Sequence, residues 1–248
     1  MRARWRGVPV LLALLLILSA FPGRAYALGL TTGTRHAVVR NKFTTSSIGG
    51  GYAEWVTQPI SAAWSSTNNT RFIVQSLWIN TDNYSSSWIE VGFLDGAHTT
   101  SSGYTYAHGF YTARGIVSGG VIQAYTEYLI SGPSTNNGTN HTYEVQYNGN
   151  NSWGAYVDFQ LGQAWSGAPG ADAIDVGLET NTSASSASRI TTTRLQYRDP
   201  NDTGTTGWHY WTSGVVYNED LNYTNDRWGM SVGWSTQFTS SYNEKIAQ

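Results

Sequence analysis

The chain of 248 residues contains no cysteine. That absence excludes thiol catalysis, cysteine-ligated zinc and iron–sulfur clusters. A domain without disulfides must hold together by its core alone. Charge is scarce as well: Asp, Glu, Lys and Arg make up 12% of the residues, and lysine occurs only at Lys42 and Lys245. No basic patch is available for nucleic acid or an anionic membrane. There is no Gly-x-Ser-x-Gly elbow, no phosphate loop and no dinucleotide fingerprint, which weighs against an α/β-hydrolase and against nucleotide chemistry. His36, His98, His108, His141 and His209 are scattered without metal-ligand spacing, so neither a metal nor another cofactor is expected.

Long apolar runs are missing too, except one. Val8 to Phe21 is apolar apart from Pro9 and Ser19. It follows Arg2, Arg4 and Arg6 and precedes the small-x-small triplet Ala25-Tyr26-Ala27. This pattern predicts a signal peptide over 1–27, a single secreted domain over 28–248, and no membrane contact after cleavage. Losing Arg2, Arg4, Arg6 and Arg24 leaves the remainder distinctly acidic.

What is present is aromatic and polar: 11 tryptophans, 16 tyrosines and 27 glycines among many Ser, Thr and Asn. Such a composition suits short strands and many turns. No 3.6-residue apolar stripe follows the signal. Strand-like runs recur at 36–40, 51–58, 71–80, 87–94, 104–112, 121–131, 141–147, 153–159, 173–180, 189–197, 208–212 and 229–239. Turn signals include Asp95-Gly96 and, as the best hairpin, Asn148-Gly149-Asn150-Asn151. The segment 182–188 reads as a surface loop. A dozen short strands predict an all-β, two-sheet antiparallel sandwich.

Two strands carry a lone glutamate. In Ser87-Trp88-Ile89-Glu90-Val91-Gly92-Phe93, Ile89, Val91 and Phe93 share one face while Trp88, Glu90 and Gly92 share the other. In Ala173-Ile174-Asp175-Val176-Gly177-Leu178-Glu179-Thr180, the aliphatic residues again oppose Asp175, Gly177 and Glu179. The pattern predicts an aliphatic core side and an open side where glycine leaves room for a ligand. Two carboxylates on one sheet face can split their pKa values into an acid and a base. A second reading stays open: aromatics such as Trp88 or Trp153 stack on sugar rings, making a non-catalytic carbohydrate-binding sandwich. A secreted structural or surface protein is a third. The Glu-x-Asp-x-x-Glu motif of a glucanase is absent, Asp175 and Glu179 being its nearest approach.

The order of motifs is itself informative. Gly51-Tyr52-Ala53-Glu54-Trp55-Val56 is followed by Pro59, Leu77-Trp78-Ile79-Asn80, Trp88-Ile89-Glu90-Val91-Gly92 and Ala124-Tyr125-Thr126-Glu127-Tyr128. His141-Thr142-Tyr143-Glu144-Val145, Trp153-Gly154-Ala155-Tyr156-Val157-Asp158 and Val176-Gly177-Leu178-Glu179 complete the series. Over roughly residues 50–240 it resembles the glutamic-peptidase-like β-sandwiches, the eqolisins and neprosin peptidases. The resemblance implies a concanavalin-like, jelly-roll type double sheet with active residues on its concave face. Eqolisins carry a glutamine and neprosins a glutamate where Glu90 stands, and Glu179 matches the second catalytic glutamate. Glu179 departs from both families in being flanked by Leu178 and Thr180. Glu127 matches a frequently acidic strand position. The implied activity is peptide-bond hydrolysis at acidic pH by Glu90 and Glu179. Trp88, Tyr125, Glu127 and Asp175 are the candidate substrate-binding residues, and the partner is a peptide or, on the alternative reading, a polysaccharide.

Overall fold

The computed structural model describes residues 35–43, 48–81, 87–168, 170–182, 184–188, 190–200, 207–211, 215–219, 228–233 and 239–244. The expected signal segment 1–27 lies outside the described residues. Among them there is no α-helix. The strands are β1 (Arg35–Lys42), β2 (Gly50–Val56), β3 (Ile60–Ser61), β4 (Phe72–Asn80), β5 (Trp88–Thr100) and β6 (Gly103–Ser118). They continue as β7 (Val121–Leu129), β8 (Asn140–Gly149), β9 (Ser152–Val157), β10 (Gln160–Ser166), β11 (Ala173–Thr180) and β12 (Ser186–Ala187). The last are β13 (Ile190–Arg198), β14 (Trp208–Tyr210), β15 (Val215–Glu219), β16 (Trp228–Gly233) and β17 (Thr239–Glu244).

They form the expected two-sheet antiparallel, concanavalin-like sandwich. One sheet has seven strands in the order β15-β1-β11-β4-β5-β6-β7. The other follows β10-β9-β8-β2-β13-β17-β16, with β14 also paired to β13. A short β3–β12 pair stands apart. The inner faces meet in a core that includes Trp55, Leu77, Ile79, Tyr143, Trp153 and Leu195. The six aliphatic and aromatic residues assigned to the core side, Ile89, Val91, Phe93, Ile174, Val176 and Leu178, all lie in this cluster. Gly51 lets the layers approach, since a Cβ there would sit 2.6 Å from Ile79 Cδ1.

Several expectations require correction. Asp95-Gly96 is not a turn but lies within the thirteen-residue β5. Gly96 takes a φ of 118°, and Asp95 accepts hydrogen bonds from Ala62 N and Tyr106 Oη, both at 2.8 Å. The acid and the glycine thus sit inside a strand that continues past them in unbroken register. The segment 182–188 is not simply a loop: it contains β12, and Ser185 and Ala187 are buried. The hairpin at Asn150-Asn151 forms as read, with φ of 52° and 55°. Its neighbour β10 went unseen because its two-residue turn is Asp158-Phe159, at φ 52° and 61°, which carries no glycine signal.

Candidate active site

Glu90 and Glu179 project from the same face of the seven-stranded sheet, away from the core. Antiparallel pairing puts directly opposed residues on one side. Glu127, Ala113, Glu90, Trp78, Asp175 and Arg40 therefore form one transverse row across β7, β6, β5, β4, β11 and β1. Glu179 is opposite Val74, four residues along β4 from Trp78 and hence on that same face. One strand, β4, separates the two glutamates' strands.

This face is not open, as alternation alone suggested. A second apolar cluster covers it, including Val74, Trp78, Trp88, Leu94, Tyr111 and Ala113. Glu90 and Glu179 are each 1% exposed. Nor does glycine leave ligand space beside Glu90: a Cβ on Gly92 would meet Gln75 O at 2.1 Å and Ser76 Oγ at 2.3 Å. Gly115 accommodates a ring, with the Trp88 indole lying where its Cβ would be.

Within this apolar setting the donors that reach Glu90 among the described residues are neutral. Tyr111 Oη donates to its Oε2 at 2.9 Å, and Trp88 Nε1 approaches its Oε1 at 3.4 Å. Ser76 Oγ lies 2.6 Å from the Tyr111 hydroxyl and fixes it. Burial pushes Glu90 up to about 8, the Glu179 charge adds to the rise, and the Tyr111 and Trp88 hydrogen bonds oppose it. Asp175, in the same row, is treated differently. Arg40 grips both of its oxygens, Nε to Oδ1 at 2.5 Å and Nη2 to Oδ2 at 2.6 Å.

A small cavity of about 20 Å³ joins the acids. Glu90, Glu127 and Glu179 line it with Val74, Tyr111 and Tyr125. It has room for about one water molecule. Beside it opens a cleft of about 600 Å³, bounded by His98, Thr100, Ser101 and Tyr128. Thr99, Tyr125 and Glu127 border both spaces. Glu127 is anchored from three sides: His98 Nδ1 at 2.8 Å, Tyr125 Oη at 3.1 Å and the Thr99 amide at 3.4 Å.

No family model matches the chain, and no curated protein matches it. Solved structures do. Scytalido-glutamic peptidase with a transition-state analogue inhibitor superposes with a TM-score of 0.50 at 13% identity, covering 86% of this chain and 100% of that one. The structure of SCP-B, a member of the eqolisin family of peptidases, in a complex with the tripeptide Ala-Ile-His gives 0.44 at 13% identity, with 86% and 98% covered. The fold is a glutamic-peptidase-like β-sandwich. At such identity the likeness speaks to the fold, and the chemistry must be argued from this chain's own residues.

Of the expected site residues, Glu90, Glu179, Glu127 and Tyr125 meet at one cavity. Trp88 does not offer a ring to substrate: it is fully buried and touches Glu90 instead. Asp175 is not a substrate ligand in this arrangement, being fully buried and bound by Arg40. Trp153 is a core residue, its Nε1 donating to Ala168 O at 2.9 Å, so it cannot stack on a sugar. Sequence reading missed Tyr111, Ser76, His98 and Arg40. Tyr111 and Ser76 both face Gly92 across β6 and β4, a relation that only the strand pairing reveals.

Proposed function

We propose that the chain is an exported hydrolase that cleaves peptide bonds with the Glu90–Glu179 pair. The observation that carries this reading is the shared cavity, in which Glu90, its carboxyl pushed up by burial to about 8, sits with Glu179 around space for one water. Glu90 is the acid. It donates its proton to the scissile carbonyl oxygen while Glu179, as base, takes a proton from the attacking water. The water oxygen bonds to the carbonyl carbon. On collapse the C–N bond breaks, the amine leaves with the proton from Glu179, and Glu90 recovers its own. No covalent enzyme intermediate is needed. The peptide would lie in the adjoining cleft, with Tyr125 and Glu127 against it. A single domain over 28–248, released after Ala27, is part of the proposal.

Hydrolysis of a denatured protein substrate by the full secreted chain tests it. Activity should be present at acidic pH and decline on the alkaline side as pH rises through about 8, where Glu90 loses its proton. Glu90→Gln and Glu179→Gln should each cost at least about 10²-fold in kcat/KM with unchanged circular dichroism. Equal cleavage by the wild type and both variants would eliminate the pair as catalyst.

A further inference from the structure

The outward face of the eight-stranded sheet carries a second constellation on the opposite side of the molecule. A transverse row on this face runs from Tyr210 through Gln196, Tyr52, Glu144 and Tyr156 to Leu161. Its five strand steps span about 24 Å at the usual strand spacing. The ends of the row are exposed and the middle is sunken, with Tyr52 and Glu144 each 8% exposed. Exposure along the row thus falls to a trough at its middle, where the Phe159 and Trp208 rings pack against Tyr52.

Three observations point to a ligand there. Phe159 stands at the β9–β10 turn with its side chain 69% exposed and its backbone at a φ of 61°. A bulky residue rarely adopts that conformation, and here it displays an aromatic ring to solvent. That ring lies parallel to Tyr52, with centroids 6.2 Å apart, and Trp208 meets Tyr52 edge-on at 5.9 Å. Second, Glu144 is nine-tenths buried, and among the described residues no donor hydrogen-bonds it. Its burial pushes it up to about 7 despite the opposing charge of Arg198. Third, the trough is balanced in charge. Glu54 pairs with Arg194 at 3.0 Å, and Arg198 faces Glu144 while donating to Gln146 Oε1 at 2.7 Å.

We propose that this trough binds a neutral linear oligosaccharide, its pyranose rings lying on Phe159 and Trp208 and a hydroxyl donating to Glu144. Aromatic faces match the C–H faces of sugar rings. Fixed amide and carboxyl groups match the hydroxyls. Two acids balanced by two arginines give no preference for a charged ligand, which argues against an anionic polymer or a basic peptide. This site is independent of the Glu90–Glu179 pair, which faces the other way.

Isothermal titration of the full chain with cellohexaose, chitohexaose, laminarihexaose and xylohexaose tests the proposal. At least one should bind. Phe159→Asn, chosen because asparagine tolerates positive φ, and Glu144→Gln should each weaken that binding roughly tenfold or more. Glu90→Gln should leave it unchanged. Melting curves of the variants separate loss of binding from loss of fold. Failure of all four sugars to bind would overturn the proposal. So would binding that survives both Phe159→Asn and Glu144→Gln in folded protein, or that is lost with Glu90→Gln.

Discussion

The two outward faces of the sandwich each bury glutamates, and they treat them in opposite ways. On the seven-stranded sheet Glu90 has neutral donors, a second carboxylate nearby and apolar rings around it. On the eight-stranded sheet Glu54 and Glu144 are each matched by an arginine. Both arrangements push a carboxyl upward by burial; neutral hydrogen bonds from Tyr111 and Trp88 oppose the rise at Glu90, the Arg198 charge opposes it at Glu144, and Glu144 reaches about 7 where Glu90 reaches about 8. Withholding a cation is what sets a carboxyl up as an acid at neutral pH. Supplying one turns the same residue type into a holding or binding group, as Asp175 with Arg40 shows within the dyad's own row.

The largest expected effect comes from extending that contrast. Arg40→Leu would leave Asp175 buried without its cation, across Trp78 from Glu90 in the same row. Breaking a buried pair costs about 3–5 kcal/mol. The Arg40 side chain is 20% exposed, so the lower end is expected. Chemical denaturation at neutral pH measures it, and recovery of stability in Arg40→Leu/Asp175→Asn would confirm the cause. A cost below the scatter of surface substitutions would mean that Asp175 needs no counter-charge.

Next comes the pH dependence of stability. Glu90 binds its proton more tightly folded than unfolded, rising from 4.5 to about 8. Its protonation supports the fold fully below the unfolded value, and stability then declines as pH rises toward 8. Denaturation midpoints across that range should fall, and Glu90→Gln should flatten most of the slope. Glu144→Gln should flatten less of it, because its rise ends near 7. If the two variants flatten the curve equally, the contrast between the faces is lost.

The smallest effect is expected at Phe159. Its ring is mostly exposed, so Phe159→Asn should change stability by no more than about 0.5 kcal/mol, since removing a bulky residue from positive φ offsets part of the lost stacking. A large loss would make Phe159 a structural residue and remove a support for the sugar trough.

Much of this was legible in the chain. Strand periodicity placed Glu90 and Glu179 opposite an aliphatic core, because alternation is a local property. The same rule could not tell that Trp78, Trp88 and Tyr111 enclose that face, since enclosure depends on which strands become neighbours. Asp175 read like Glu179, on the same face of one strand, until pairing brought Arg40 beside it from a strand 135 residues away. Trp153 read as a ligand platform because period-two alternation gives a face and not its direction; the structure turns it into the core. The turn at Asp158-Phe159 hid β10, since its left-handed residues are not glycine or asparagine-glycine.

The protonation of Glu90 tests the account most directly. Carboxyl carbon NMR of the full chain, with glutamate labelled and Glu90→Gln as the assignment control, follows that group through its titration. The account predicts a carboxyl resonance that stays protonated through neutral pH, titrates near 8 and disappears in Glu90→Gln. A Glu90 resonance that titrates in the ordinary carboxylate range would contradict it, and with it the assignment of Glu90 as the acid of the pair.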